Sequence, residues 1–198
     1  LRWAADEFGA KLIFFSTDYV FDGKNGPYTE NTPRSAVSVY GRAKVSVEEW
    51  MEKNSKNFLI LRTTGVYDYL PGSKNFFMQM LELLRHKKQI RLPCDQYSNP
   101  TWANDLARAT IELVANSASG IYNVAGLASF SRKEFAECIA QYFKLDSSLI
   151  CGVQTAVLNQ KAGRPLRGGL ICNKLEETLE WHPHDPEAVF EYFKQLMT

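Results

Sequence analysis

Tyr40 and Lys44 stand four residues apart in the run Tyr40-Gly41-Arg42-Ala43-Lys44. On a helix that spacing places them one above the other on the same face. Upstream, Thr17 follows a short apolar run. A phenol, an ammonium and a hydroxyl brought together can move a proton to or from the oxygen of a carbonyl/alcohol couple. A free phenol titrates near pH ~10, and bringing it to neutrality takes roughly 4 kcal/mol of differential stabilisation. At about 5 Å an ammonium supplies on the order of 1 kcal/mol in bulk water and about 3 kcal/mol at an effective dielectric near 20. The chemistry therefore needs a partly dry cleft. The plain alternative is a surface tyrosine with a snorkelling lysine, and the four-residue spacing alone does not separate the two.

The elements that must position these groups are legible around them. Lys11-Leu12-Ile13-Phe14-Phe15 reads as a buried parallel strand whose carboxyl end carries Ser16, Thr17 and Asp18. In open α/β sheets ligands bind beyond that end. Asp22 to Pro27 is dense in turn formers and reads as a loop. Ser38 is a suitable amino-terminal cap for the Tyr40 helix. On that helix the Tyr40 and Lys44 stripe continues through Val47 and Met51, with Ala43 and Trp50 beside it, so this face is expected to turn inward. Glu48, Glu49, Glu52 and Lys53 are expected to fall mostly away from it.

Further along, Asn57–Arg62 reads as a second buried strand ending in Thr63-Thr64-Gly65. Helices are expected over 75–87 and 103–115, the first presenting Phe76, Met80, Leu83 and Leu84, the second Leu106, Ile111 and Val114. Short strands are expected at Ile90–Leu92 and Gly120–Ala125. Ser131 and Glu134 form a capping box with Phe130 and Phe135 as its hydrophobic staple, and the helix behind it turns Ile139 and Tyr142 inward. Asn173–Glu180 reads as a short helix, and Asp185-Pro186 as the start of the last one.

Composition bounds the class. The chain has 198 residues and a net charge of +1 with acids and bases interspersed, so neither a nucleic-acid nor a membrane partner is expected. No apolar run approaches the ~20 residues that span a bilayer. The four cysteines, Cys94, Cys138, Cys151 and Cys172, lack paired spacing, which favours reduced thiols and a cytoplasmic location. His182-Pro183-His184 reads as a loop, and no metal is expected.

Taken together, STDYVFDG (16–23), PYTE (27–30), YGRAK (40–44), LRTTGVY (61–67) and DQYSNPT (95–101) make the chain resemble the extended short-chain dehydrogenase/reductases, and within them the dTDP-4-dehydrorhamnose reductase group. The resemblance runs from about Phe14 to the carboxyl terminus. It implies an α/β fold, with part of a doubly wound Rossmann-type parallel sheet and a smaller α/β substrate-binding lobe. Residues 1–69, with 98–124 returning, would form the second half of the nucleotide-binding domain; 70–97 and 125–198 would form the lobe. No glycine pattern of the G-x-x-G-x-x-G kind is present. The chain is accordingly expected to be the carboxyl-terminal two-thirds of a longer enzyme and inactive by itself.

The resemblance also assigns roles. NADPH or NADH delivers hydride to the 4-keto group of a nucleotide-linked 6-deoxy sugar. Tyr40 protonates the oxygen, Thr17 steadies that transfer, and Lys44 holds the nicotinamide ribose. Thr63 and Thr64 would face the nicotinamide; Asp18, Tyr19, Asn75 and Gln96 would face the substrate; Arg164, in Ala162-Gly163-Arg164-Pro165, would pair with its diphosphate, with Arg167 a weaker candidate. The competing account is an ordinary strand end for Thr63 and Thr64, helix capping for Asn75, an ordinary turn for Gln96 and a solvated surface side chain for Arg164. The group often has a tryptophan where this chain has Gly65, which leaves sugar identity open. Two alternatives stand beside the reductase: an NAD-dependent sugar-nucleotide epimerase or dehydratase, and a non-catalytic regulatory subunit like the β subunit of methionine adenosyltransferase. A homodimer, the choice between NADH and NADPH, and a magnesium requirement are left open.

Overall fold

A computed structural model describes residues 1–197. In chain order the elements are α1 (Arg2–Glu7), β1 (Leu12–Thr17), α2 (Val39–Asn54), β2 (Phe58–Thr63), α3 (Phe76–Arg85), β3 (Ile90–Pro93) and β4 (Tyr97–Ser98). There follow α4 (Ala103–Ala115), β5 (Gly120–Asn123), β6 (Phe130–Ser131), α5 (Arg132–Tyr142), β7 (Ile150–Val153), α6 (Asn173–Leu179) and α7 (Pro186–Leu196). No helix is long and apolar enough to cross a membrane among the described residues.

The principal sheet is parallel, in the order β1-β2-β5. Its register pairs Leu12 with Phe58 and Thr17 with Thr63, so the carboxyl ends of β1 and β2 lie side by side. One core forms against it from Leu59 and Leu61 of β2, Tyr122, Ala109 and Leu113 of α4, and Leu175 of α6. A second core is built from aromatic and aliphatic residues of α3, α5 and α7, among them Phe77, Leu81, Phe135, Ile139, Phe190 and Phe193. Around it β3 pairs parallel with β7, and β4 antiparallel with β6. All of 125–198 is expected in the smaller lobe, yet Leu170, Cys172 and Leu175 pack into the first core.

Capping follows local chemistry. Ser38 Oγ accepts the Gly41 N–H at 3.0 Å and starts α2. At α5 both halves of the Ser131/Glu134 capping box are made, and Phe130 lies 5.7 Å from Phe135 between ring centroids. On α4 the inward residues are Ala109 and Leu113; Ile111, expected inside, is 69% exposed.

The larger correction concerns α2. Its buried positions are Gly41, Glu48 and Met51, whereas Tyr40, Val47 and Trp50 are exposed. The buried face thus keeps Met51 but shifts toward Gly41 and Glu48, away from the apolar stripe read in the sequence. The cause is polar: Glu48 is needed against the sheet by Arg62 of β2. Lys44 is half-buried, with its ammonium donating to the Phe15 carbonyl at 2.8 Å. Val47 and Trp50 line an apolar face with Ile13 of β1 and Phe8.

Candidate active site

Beyond the adjacent carboxyl ends of β1 and β2 lies a cleft of about 700 Å³, bordered by the first turn of α2 and by residues 161–165. Thr17 closes β1 with its hydroxyl accepting the Tyr19 N–H at 3.2 Å, which starts a single 3-10 turn over Asp18–Val20. The first turn of α2 sits directly on that turn because residue 41 is glycine: a Cβ there would come 2.1 Å from the Tyr19 carbonyl oxygen. This contact brings Tyr40 to Tyr19, edge to face, with ring centroids 5.9 Å apart. Tyr19 in turn accepts a hydrogen bond on its hydroxyl from Arg164 Nη1 at 3.0 Å.

The cleft therefore gathers Thr17, Asp18, Tyr19, Tyr40, Thr63, Thr64, Gln96 and Arg164 of the residues singled out from the sequence. Lys44 stands behind Tyr40, its Nζ 5.8 Å from the Tyr40 ring centroid and 4.5 Å from that of Phe14. Asn75 is not brought to the cleft. Its Oδ1 caps α3 by accepting the Met78 N–H at 3.1 Å, and its Nδ2 donates to the Asp68 carbonyl at 2.9 Å. Gln96 is 5% exposed, and its amide nitrogen donates to Thr155 Oγ1 at 2.9 Å and to Gln160 Oε1 at 3.0 Å. Arg167 acts through its backbone, its N–H donating to the Gly23 carbonyl at 2.7 Å.

The floor of the cleft is polar and buried. Asp18 is 2% exposed. Its Oδ2 accepts the Gly169 N–H at 3.2 Å and its Oδ1 the Thr17 hydroxyl at 3.3 Å. Burial pushes the Asp18 carboxyl up from the ordinary range, against the hydrogen bonds from Gly169, Thr64 and Thr17 that favour its charged form. Thr63 Oγ1 is buried with no hydrogen-bond partner, an orphaned polar atom at the end of β2 that a ligand amide or hydroxyl could satisfy.

Reading the sequence missed Arg42, Arg132 and Lys161, which line the cleft together with Arg164. Asp18 is the sole carboxylate among the lining residues, so the walls favour an anion. The signal for Lys161 lay next to the arginine already noted; Arg132 was hidden behind its role in opening α5. A second cavity of about 280 Å³ shares Gly65, Val66, Ser98 and Arg132 with the cleft and is lined by Phe76, Phe130 and Phe135. Gly65 has a φ of +54°, a left-handed conformation suited to glycine and costly for a bulky side chain.

Comparison with known proteins follows the same lines. Residues 1–197 match the family model described as RmlD substrate binding domain. The spore coat polysaccharide biosynthesis protein SpsK of Bacillus subtilis is 35% identical over 188 residues, covering 94% of this chain and 65% of that protein. A dTDP-4-dehydrorhamnose reductase of Burkholderia thailandensis is 30% identical over 194 residues, 89% of this chain and 64% of the other. Among solved structures, dTDP-4-dehydrorhamnose reductase from Bacillus anthracis in complex with NADP superposes with a TM-score of 0.89 at 29% identity, covering 98% of this chain and 68% of that one. The chain thus spans less than two thirds of the length of these two curated relatives.

Proposed function

We propose, from the premise that this chain belongs to the RmlD substrate binding domain family, that it forms the proton-donating and substrate-binding part of a nicotinamide-dependent reductase. The substrate is the 4-keto form of a nucleotide-linked 6-deoxy sugar. The observation carrying this reading is the convergence of Thr17 and Tyr40 on a cleft walled by Arg42, Arg132, Lys161 and Arg164.

A reduced nicotinamide, when bound, supplies the hydride. The residues here fit such a group: Thr63 Oγ1 is a buried hydroxyl without a partner, Thr64 lies beside it, and Lys44 stands on the Tyr40 side. Tyr40 gives its phenolic proton to the carbonyl oxygen as that oxygen becomes an alkoxide. Thr17 hydrogen-bonds the same oxygen, and Lys44 favours the phenolate left on Tyr40 electrostatically. Tyr40 is 53% exposed, so this electrostatic help grows only once ligands displace water from the cleft. Asp18 and Tyr19 border the sugar, and Arg164 exchanges its bond to the Tyr19 hydroxyl for the substrate diphosphate. A planar guanidinium suits that role because it offers paired donors to phosphate oxygens.

The test is to express the full-length protein containing this chain, mix it with NADPH or NADH and a dTDP-4-keto-6-deoxy sugar, and follow the loss of reduced-nicotinamide absorbance. Turnover is expected with at least one cofactor. Absence of turnover with both, in a folded protein, overturns the reading.

A further inference from the structure

The segment from Thr155 to Arg167 borders the cleft and is fastened at its two ends. At the far end the Arg167 N–H donates to the Gly23 carbonyl and the Tyr97 N–H to the Leu166 carbonyl, each at 2.7 Å. At the near end Asp95 takes the Thr155 N–H on both carboxylate oxygens at 3.0 Å and the Thr155 hydroxyl on Oδ1 at 2.5 Å. The hydroxyl oxygen then accepts from Gln96 Nε2 at 2.9 Å, and the same nitrogen reaches Gln160 Oε1 at 3.0 Å. Thr155 therefore uses its one hydroxyl proton and a lone pair within this cluster. Gln96 has both amide hydrogens directed at the segment.

Between these fastenings the chain turns at Asn159, with φ at +46°, and Lys161, Ala162, Gly163 and Arg164 are all exposed. They line the cleft wall because the two ends of the segment are tied there. Across this exposed stretch Arg164 reaches Tyr19 with a single hydrogen bond, at 3.0 Å, a contact that an anion would replace. A guanidinium on a loose segment would have to surrender backbone freedom each time it captured an anion. Fastening the segment beforehand removes that cost.

We propose that Asp95, Gln96 and Thr155 form a clamp that presents Lys161 and Arg164 to the diphosphate of the substrate, with Gln96 a positioning residue that acts through Thr155 and Gln160. This rests on the nucleotide-sugar reading of the cleft. It differs from the role that resemblance gave Gln96, in which its amide touches the substrate.

Thr155→Val keeps the shape of the side chain and removes the hydroxyl that links Asp95 to Gln96; Thr155→Ser restores it. In the full-length protein, Thr155→Val is expected to raise KM for the nucleotide sugar and Kd for thymidine diphosphate about tenfold, equivalent to about 1.4 kcal/mol. Its kcat and KM for the reduced nicotinamide should stay near wild type, with Thr155→Ser restoring affinity. Gln96→Leu should behave like Thr155→Val. Trypsin supplies a readout independent of activity: cleavage after Lys161 should quicken in Thr155→Val and Gln96→Leu and not in Thr155→Ser, with an unchanged melting temperature confirming the fold. Faster cleavage with unaltered thymidine diphosphate affinity would overturn the clamp's role in binding. A fall in kcat at constant KM would return Gln96 to the reacting end of the substrate and also overturn it. If wild type fails to bind thymidine diphosphate, the nucleotide-sugar reading falls, whereas unchanged trypsin cleavage in the variants refutes the clamp itself.

Discussion

Glu48 Oε2 lies 2.6 Å from Arg62 Nη2, with the two side chains 0% and 1% exposed. Glu48 also receives Arg34 Nε at 2.6 Å and the Ser16 hydroxyl at 2.5 Å. One carboxylate thereby ties α2, which carries Tyr40, to β1 at the residue before Thr17 and to β2 at the residue before Thr63. Removing Glu48 strips the buried Arg62 of its carboxylate, whereas removing Arg62 leaves Glu48 still paired with Arg34. Glu48→Ala should cost about 3–5 kcal/mol in urea denaturation of the full-length protein, and Arg62→Ala less. Replacing both by Glu48→Leu with Arg62→Met should cost less than Glu48→Ala. A double variant worse than Glu48→Ala would show that the pair is net stabilising.

The same carboxylate sets an acid limb. Burial would raise the Glu48 carboxyl, but Arg62, Ser16 and Arg34 overcome that and hold it below the ordinary range. A lowered folded value means that its stabilisation is fully present above the unfolded value of about 4.3, and is lost as pH falls through the folded one. Wild type should therefore lose its stability advantage over Glu48→Gln as pH drops below that value. Urea midpoints measured from pH 7 to pH 3 should converge; parallel curves would exclude Glu48 from the acid transition.

Which parts of this were legible beforehand follows from the range of the forces involved. Local signals were sufficient for the caps at Ser38 and Ser131, because each is completed within three residues along the chain. The strand-end position of Thr17 followed from an apolar run meeting polar residues. The azimuth of α2 was misread because its determinant is Arg62, fourteen residues downstream of Glu48 on another element. Periodicity counts apolar residues and is blind to a buried ion pair. Arg132 and Lys161 were missed for a related reason: a cation's membership of a cleft is decided by chain segments that meet only in the fold.

The approach of α2 to the Asp18–Val20 turn depends on Gly41. A Cβ placed there would lie 2.1 Å from the Tyr19 carbonyl oxygen, so Gly41→Ala must push the helix outward. Overpacking of this kind costs about 1–3 kcal/mol. A shift near 1 Å of Tyr40 relative to Thr17 is expected to lower kcat by about 10²-fold. Steady-state kinetics alongside thermal melts would check this, and full activity in Gly41→Ala would show that the contact does not set the Tyr40 position.

Tyr40→Phe isolates the proton donor. The ring is half exposed and meets Tyr19 at an interplanar angle of 80°, so deleting the hydroxyl should change the melting temperature little. Loss of a positioned general acid should reduce kcat by about 10²–10⁴-fold, with cofactor affinity measured by fluorescence titration largely retained. Turnover close to wild type would remove Tyr40 from the proton path.

Asp18 puts function and stability in opposition. Burial raises its folded pKa, so by linkage its favourable contribution exists below the unfolded value of about 3.9 and is lost as pH rises through the folded value. The charged form of Asp18 is a burden on the fold, accepted where the cleft presents a carboxylate to the sugar. Asp18→Asn can keep the Gly169 N–H on its oxygen and turn its amide toward Thr17 and Thr64. The variant should melt a few degrees higher than wild type at pH 7, with the difference shrinking toward pH 4 as wild type protonates. Its activity should fall, because Asp18 borders the sugar and the amide would present a donor where the carboxylate presents only acceptors. Calorimetry across that pH range tests the first half and steady-state kinetics the second. A variant that melts lower at pH 7 would mean that the hydrogen bonds from Gly169, Thr17 and Thr64 outweigh burial of the charge.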